Sequence, residues 1–224
     1  MTDTPVTQLP LGLAVVYLVD DEPVVRDALA WLLRSRRLLC EGHADTPSFQ
    51  SMLDAALAQD AAWPRAPSCL LLDIRMPGTS GLALFEEVAR RGLCEALPVI
   101  FLTGHGDVPT AVAALKRGAF DFVEKPFSNN GLVDRVEQAL QASEMVIRAR
   151  QHHAALQHRL HDLTERERQI LDLIARGDSN KQIARALDIS VRTVEVHRSR
   201  VFDKMGVRSA VELANSLREL GAGT

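Results

Sequence analysis

The chain has 224 residues, 46% hydrophobic and 25% charged, and its 26 Lys+Arg against 29 Asp+Glu leave a net charge of −3. That length suits one large or two small globular domains, and the composition excludes disordered and fibrous classes. No apolar run is long enough to span a bilayer, the first residues lack the basic region of a secretory signal, and Cys40, Cys69 and Cys94 show no CxxC spacing. Three small buried thiols in a cytoplasmic protein, with no membrane partner, are the expectation rather than a disulfide framework or a zinc site.

Short apolar runs at 14–19, 69–72, 99–102 and 120–123 are too short for helices and apolar nearly throughout, which predicts strands buried on both faces. A weaker fifth strand is predicted at 38–43. Amphipathic stretches lie between them. Pro23 suits a first helical turn, Ser80 caps a helix over 81–91, and Gly118 closes one over 108–117. The alternation predicts an α/β fold, a parallel sheet with helices on both faces, over residues 12–130. Leu132, Val136 and Leu140 recur at four-residue spacing, so the last helix of this domain is expected to run on into a helical linker over 131–160. His152, His153, His158 and His161 lie in that linker at offsets that do not share one helical face, as expected of a solvated surface rather than a metal site.

Beyond 161 no strand pattern survives. Thr164-x-x-Glu167, Ser179-x-x-Gln182 and Ser209-x-x-Glu212 have capping-box spacing, and Ser190 can cap a further helix. Helices are predicted near 165–176, 180–187, 191–205 and 209–219, forming an all-α domain over 161–224. None is long enough to be stable alone. Their folding must rest on packing of Leu163, Ile170, Leu171, Ile174, Ile183, Leu187, Val194, Val201, Met205 and Leu213. Charge divides along the same boundaries, net −5 over residues 1–129 and net +2 over 159–224.

In a doubly wound sheet, chemistry collects outside the carboxyl ends of the strands. Those ends carry Asp20-Asp21, Asp73, Thr103 and Lys125-Pro126. Adjacent carboxylates repel one another, and hard oxygen donors favour Mg²⁺ as the ion that relieves the repulsion. An ammonium and a hydroxyl can hold the other oxygens of a phosphoryl group, while a carboxylate between them is placed as a nucleophile toward phosphorus, giving an acyl phosphate.

Leu18-Val19-Asp20-Asp21, Leu71-Leu72-Asp73-Ile74-Arg75-Met76-Pro77-Gly78, Phe101-Leu102-Thr103-Gly104-His105-Gly106-Asp107 and Phe122-Val123-Glu124-Lys125-Pro126-Phe127 resemble the motifs of two-component receiver domains, the last two especially the FixJ branch. The resemblance implies a flavodoxin-like sheet of order 2-1-3-4-5. It implies Asp73 as phosphoacceptor and Asp20, Asp21, Asp73 and the Arg75 carbonyl as Mg²⁺ ligands. It also implies Thr103 and Lys125 as phosphoryl-binding residues, Phe122 as an aromatic that changes rotamer, and a cis Lys125-Pro126 bond. Phosphorylation would draw Thr103 toward the new oxygens and admit Phe122 to the vacated space. Arg75 and His105 would flank the pocket at positions that affect hydrolysis.

In the tail, the helices over 180–187 and 191–205 are joined by Asp188-Ile189-Ser190, a helix-turn-helix connection. Arg192, Glu195, Val196 and Ser199 fall at i, i+3, i+4 and i+7, opposite Val194, Val201 and Met205, and this stripe would enter a major groove. Glu195 can accept from a cytosine amino group or orient Arg192. Arg198, Arg200, Lys204 and Arg208 add positive charge on the flanks. Ser179, Asn180 and Lys181 at a helix start suit a DNA phosphate. His197 lies nearer the core side, as a packing or phosphate-contacting residue, and Thr193 completes the expected DNA-contacting set. Leu163-Thr164-Glu165-Arg166-Glu167, Ser179-Asn180-Lys181-Gln182-Ile183-Ala184, Ile189 to Arg198, and Lys204-Met205-Gly206-Val207 resemble a LuxR-type DNA-binding domain.

Receiver, linker and LuxR-type tail in this order resemble the NarL/FixJ family. The resemblance implies a phosphorylation-dependent transcriptional regulator, expected to be an activator and not an enzyme. Its expected partners are a sensor histidine kinase, double-stranded promoter DNA, RNA polymerase and, on phosphorylation, a second copy through the fourth-helix and fifth-strand face. Val211, Leu213 and Leu217 on the last helix are candidates for a dimer contact of the tail. Two rival readings are a small-molecule phosphatase or phosphotransferase, and a phosphorylation-independent regulator whose receiver is a scaffold.

Overall fold

A computed structural model of the chain describes residues 11–104 and 108–222. Two compact units divide between Arg148 and Ala149. In the first, five parallel strands, β1 (Val15–Val19), β2 (Leu39–His43), β3 (Ser68–Asp73), β4 (Val99–Thr103) and β5 (Asp121–Glu124), are ordered β2-β1-β3-β4-β5. Helices α1 (Pro23–Ser35), α2 (Thr46–Gln59), α3 (Gly81–Arg90), α4 (Val108–Leu115) and the start of α5 (Asn129–His161) alternate with them.

Side-chain alternation along the strands builds two separate cores, the reason the sheet is covered on both faces. Tyr17, Val19, Leu70, Leu72, Val99 and Phe101 pack with Phe49 and Leu53 of α2, Leu84, Phe85 and Val88 of α3, and Ala114 of α4. Val16, Leu18, Cys69, Leu71, Ile100 and Leu102 pack with Leu29, Leu32 and Leu33 of α1 and with Leu132, Val136 and Leu140 of α5. Strands β1, β3 and β4 are accordingly buried throughout, apart from the half-buried Val15. β5 differs from the expectation: it begins one residue later, at Asp121, and is half-buried to exposed, because it forms a sheet edge and β4 is its partner on one side only. β2 is the opposite edge, mostly exposed, which is why its apolar signal is faint.

On the first core, Thr103, Phe101 and Phe122 share a face, since Phe101 pairs with Phe122 and Thr103 with Glu124. On the second, the fully buried Ser143 of α5 donates its hydroxyl to Ala96 O at 2.5 Å and accepts from Ser68 N at 3.0 Å, tying this helix to the start of β3. All three cysteines are free. Burial pushes the Cys40 thiol up to about 11 and raises those of Cys69 and Cys94 as well.

The expected continuation of the receiver's last helix is α5 itself, 33 residues long. In the second unit, α6 (Glu165–Ala175), α7 (Asn180–Leu187), α8 (Val191–Met205) and α9 (Ala210–Ala222) follow. Thr164 and Ser179 form reciprocal capping boxes with Glu167 and Gln182, and Ser190 accepts from Thr193 N. The third predicted box closes differently: Ser209 accepts from Glu212 N, but the Glu212 carboxylate accepts from Arg208 N, one residue early. Asp188 caps α7 in the left-handed region at φ 52°, and Gly206, at φ 68°, ends α8 where a side chain would be strained.

The predicted core is assembled, with Leu187 at its edge rather than inside. Leu213 is fully buried and Leu217 packs on this same core, so only Val211 of the three α9 candidates projects outward. His152 approaches Glu219 at 3.3 Å and His158 approaches Asp162 at 3.0 Å. Among the described residues no helix is long and apolar enough to cross a membrane, and no cluster of three His, Cys, Asp or Glu side chains is placed to hold a metal.

Candidate functional site

The strand order reverses at β1, so β1 and β3 stand side by side at the switch point of the sheet. Val19 pairs with Leu72, which brings the next residues, Asp20 and Asp73, to the same level at the carboxyl edge. Lys125 follows β5 and reaches both carboxylates. Its Nζ lies 2.7 Å from Asp73 Oδ1 and 3.1 Å from Asp20 Oδ2. Asp73 Oδ2 accepts from Arg75 N at 2.8 Å, and Asp20 Oδ1 from Glu22 N at 2.9 Å. Lys125-Pro126 is cis.

Burial raises the Asp73 carboxyl above its ordinary value, against the opposing pull of Lys125. Burial by itself would lower the Lys125 ammonium, yet its hydrogen bonds to Asp73 and Asp20, with their charges, outweigh that and raise it. The ammonium thus remains charged between two carboxylates.

Of the three carboxylates expected to converge, Lys125 joins Asp20 and Asp73, and Asp21 follows Asp20 directly in the chain. Asp21 is half-exposed and makes no hydrogen bond or ion pair among the described residues, while Lys125 draws Asp20 and Asp73 onto itself. The donor chemistry still fits a hard divalent cation: Asp20 and Asp73 offer oxygens from adjacent strands, with Asp21 beside them. Three carboxylates against one ammonium leave two negative charges to neutralise. The Arg75 main chain is held next to Asp73 by its own N–H.

Thr103 is fully buried, and its hydroxyl donates to Gly104 O at 3.1 Å rather than to the carboxylates. Phe122 is half-buried on the same sheet face. His105 lies outside the described residues.

Two neighbours of this pocket were not singled out by sequence. Gly81 opens α3 directly beneath the Asp73 main chain, where a Cβ would come 1.9 Å from the Asp73 carbonyl oxygen. Its N–H donates to Ile74 O. A glycine one residue after a helix cap was the only available signal. Arg26 donates from Nη1 to the Asp20 carbonyl oxygen at 2.6 Å; no pattern in the sequence marks that contact.

In the second unit, Arg192, Glu195, Val196, Ser199 and Arg200 are exposed on α8, opposite buried Val194, Val201 and Met205. Thr193 and His197 are half-buried. No hydrogen bond or ion pair joins Glu195 to Arg192 among the described residues, so the orienting role weighed for Glu195 has no contact behind it. Arg198 stacks over the Phe202 ring at 5.4 Å. At the start of α7, Lys181 is exposed and unpaired among the described residues, and Asn180 is half-buried beside it. The Ser179 hydroxyl is already engaged with Gln182 in the capping box.

Lys204 departs most from its expected setting. Its ammonium donates to Glu167 Oε2 at 2.7 Å and to Asp162 O at 3.1 Å, fastening α8 to α6. The Glu167 carboxylate also accepts from Thr164 N and Oγ1 and is buried. Lys204 first, and then the Thr164 hydrogen bonds, push its pKa down to about 2 despite the opposing effect of burial.

Residues 16–137 match the response regulator receiver domain family, and residues 161–217 match the bacterial regulatory proteins of the luxR family. The chain is similar to the C4-dicarboxylate transport transcriptional regulatory protein DctR of Rhodobacter capsulatus, 45% identical over 200 residues that cover 89% of this chain and 96% of that one. It is 42% identical to the transcriptional regulatory protein FixJ of Azorhizobium caulinodans over 198 residues, 88% of this chain and 89% of that one. Among solved structures it resembles the response regulator StyR, with a TM-score of 0.77 and 36% identity over 93% of this chain and 100% of that one.

Proposed function

Since the chain belongs to the response regulators that join a receiver domain to a LuxR-type DNA-binding domain, we propose that Asp73 is the phosphoacceptor through which a histidine kinase controls its grip on DNA. Membership makes it a two-component transcriptional regulator, so the small-molecule phosphatase or phosphotransferase reading falls. The observation that carries the proposal is the Lys125 ammonium held between Asp73 and Asp20 at the switch point of the sheet.

Asp20, Asp21, Asp73 and the Arg75 carbonyl are the residues that would hold Mg²⁺. The ion supplies positive charge against the phosphoryl oxygens and the crowded carboxylates. An oxygen of the Asp73 carboxylate attacks phosphorus; its O–P bond forms as the P–N bond of the donor phosphohistidine breaks, and the imidazole leaves with the electron pair. Lys125 gives up part of its hold on Asp73 to bind a phosphoryl oxygen. Thr103 exchanges its hydrogen bond to Gly104 O for another such oxygen, and Phe122 follows into the space it leaves.

The face reshaped by this movement carries two exposed apolar side chains, Val112 of α4 at 40% and Phe120 before β5 at 36%. Pairing of two receivers there brings two DNA-binding domains to two half-sites, and their specific free energies then add. Arg192, Thr193, Glu195, Val196 and Ser199 are assigned to base edges and their immediate surroundings. Ser179, Asn180, Lys181, His197 and Arg200 are assigned to the phosphate backbone, with Lys204 in a supporting place behind them. The protein works in the cytoplasm as an activator, and RNA polymerase is its next partner.

The test compares DNA affinity of the full chain before and after treatment with Mg²⁺ and acetyl phosphate. Phosphate is expected to appear on Asp73 and affinity to rise; Asp73→Asn abolishes both while the fold survives. Phosphate on another residue moves the acceptor, and unchanged affinity leaves the receiver a scaffold. In vitro transcription distinguishes activation from repression.

A further inference from the structure

The main chain at Asp20 carries a hydrogen-bonding problem that, among the described residues, one side chain solves. Asp20 is fully buried, and the chain leaves β1 there to enter α1. Its N–H donates to His43 O at 3.3 Å, Oδ1 accepts from Glu22 N, and Oδ2 accepts from Lys125 Nζ. Its carbonyl lies past the end of the β1 ladder, and among the described residues no main-chain N–H reaches it. The donor it finds is the Arg26 guanidinium at 2.6 Å. Gly42 of β2 lies alongside the stem of Arg26, where even a Cβ would stand 3.8 Å from Arg26 Cδ.

We infer that Arg26 is a positioning residue for the acidic pair: by holding the Asp20 carbonyl it fixes the Asp20–Asp21 peptide, and with it the directions in which the two carboxylates meet a divalent cation. This rests on the metal-binding role proposed above. A charge-assisted hydrogen bond to a buried carbonyl is short and strong, and leaving such an acceptor unmade drives the peptide to turn toward another donor. Re-aiming that carbonyl changes ψ of Asp20 and φ of Asp21, the torsions that set how the chain leaves β1, and wherever the two changes do not cancel it turns the Cα–Cβ directions of both residues. The sign of the effect is diagnostic. A guanidinium near a cation site repels the cation, so simple charge removal strengthens binding, whereas loss of positioning weakens it.

The experiment titrates Mg²⁺ into the full chain by calorimetry for the wild type, Arg26→Met and Arg26→Lys. Arg26→Met is expected to weaken Mg²⁺ binding about tenfold, the lower end of what loss of an outer partner of a metal ligand costs. Arg26→Lys, with a flexible ammonium in place of the planar fork and the same charge, restores part of it. In metal-free protein, amide exchange at Glu22, whose N–H rests on Asp20 Oδ1, is expected to quicken in Arg26→Met and to recover in Arg26→Lys. Equal or tighter Mg²⁺ binding by Arg26→Met, or unchanged exchange at Glu22, overturns the inference while leaving the metal reading intact. Failure of the wild type itself to bind Mg²⁺ overturns the metal reading and this inference with it.

Discussion

Replacing Lys204 with Met separates a cation that touches DNA from one that holds a domain together. In the structure its ammonium sits on Glu167 and on the Asp162 carbonyl. The Glu167 carboxyl moves from an ordinary 4.5 to about 2. At about 1.4 kcal/mol per pKa unit the full shift is worth about 3 kcal/mol. Because Thr164 supplies part of that shift and the Lys204 side chain is 38% exposed to screening solvent, losing the ammonium alone costs about 2 kcal/mol. The folded value lies below the unfolded one, so the stabilisation is complete above pH 4.5 and drains away as pH falls from there through about 2. Lys204→Met leaves a buried carboxylate without its cation, and α8 amides in the full chain are expected to exchange about 30-fold faster near neutral pH. Adding Glu167→Gln recovers much of the loss, because a neutral amide tolerates the missing ammonium. Stability differences between wild type and Lys204→Met shrink as the pH approaches 3. The salt dependence of DNA binding stays as it was. Unchanged α8 exchange, joined to a salt slope lower by about one unit, would refute this clamp and make Lys204 a phosphate contact.

Other outcomes are equally concrete. Lys181→Ala is expected to weaken binding across all DNA sequences and lower the salt slope by about one unit, measured by fluorescence anisotropy at several salt concentrations. Val196→Ala and Ser199→Ala should instead shift the sequences recovered from a random DNA pool, since both lie on the exposed stripe of α8; an unchanged selection means another face reads the bases. Gly81→Ala places a methyl 1.9 Å from the Asp73 carbonyl oxygen, so the β3–α3 junction must move. A loss of about 3 kcal/mol in receiver stability by urea denaturation is expected, as for severe overpacking, together with slower phosphorylation from acetyl phosphate. Stability within 0.5 kcal/mol of wild type would show that the junction yields freely.

What the sequence made legible was periodic or local. The β3 run Cys69 to Leu72 and the boxes Thr164/Glu167 and Ser179/Gln182 are patterns within a few residues, and they appear where expected. The strand-end rule located Asp20, Asp73 and Lys125 together, because a parallel sheet brings its carboxyl ends to one edge. What stayed hidden depends on partners distant in the chain or on the backbone. Lys204 looked like a free helical cation because Glu167 lies 37 positions away. The edge strand β2 read faintly because it is mostly exposed, and β5, read from Phe120, begins one residue later on a half-covered edge.

The setting of the three thiols, Cys69 buried and Cys40 and Cys94 half-buried, has a practical sequel. Reaction with oxidants and maleimides needs thiolate, and a thiol at about 11 such as Cys40 offers about one part in ten thousand at pH 7; Cys69, inside the sheet, offers still less. A new exposed cysteine, at Ser199 for instance, would take up a fluorophore ahead of Cys40 and Cys69, whose thiols stay protonated, and the half-buried Cys94 is the native thiol to replace first.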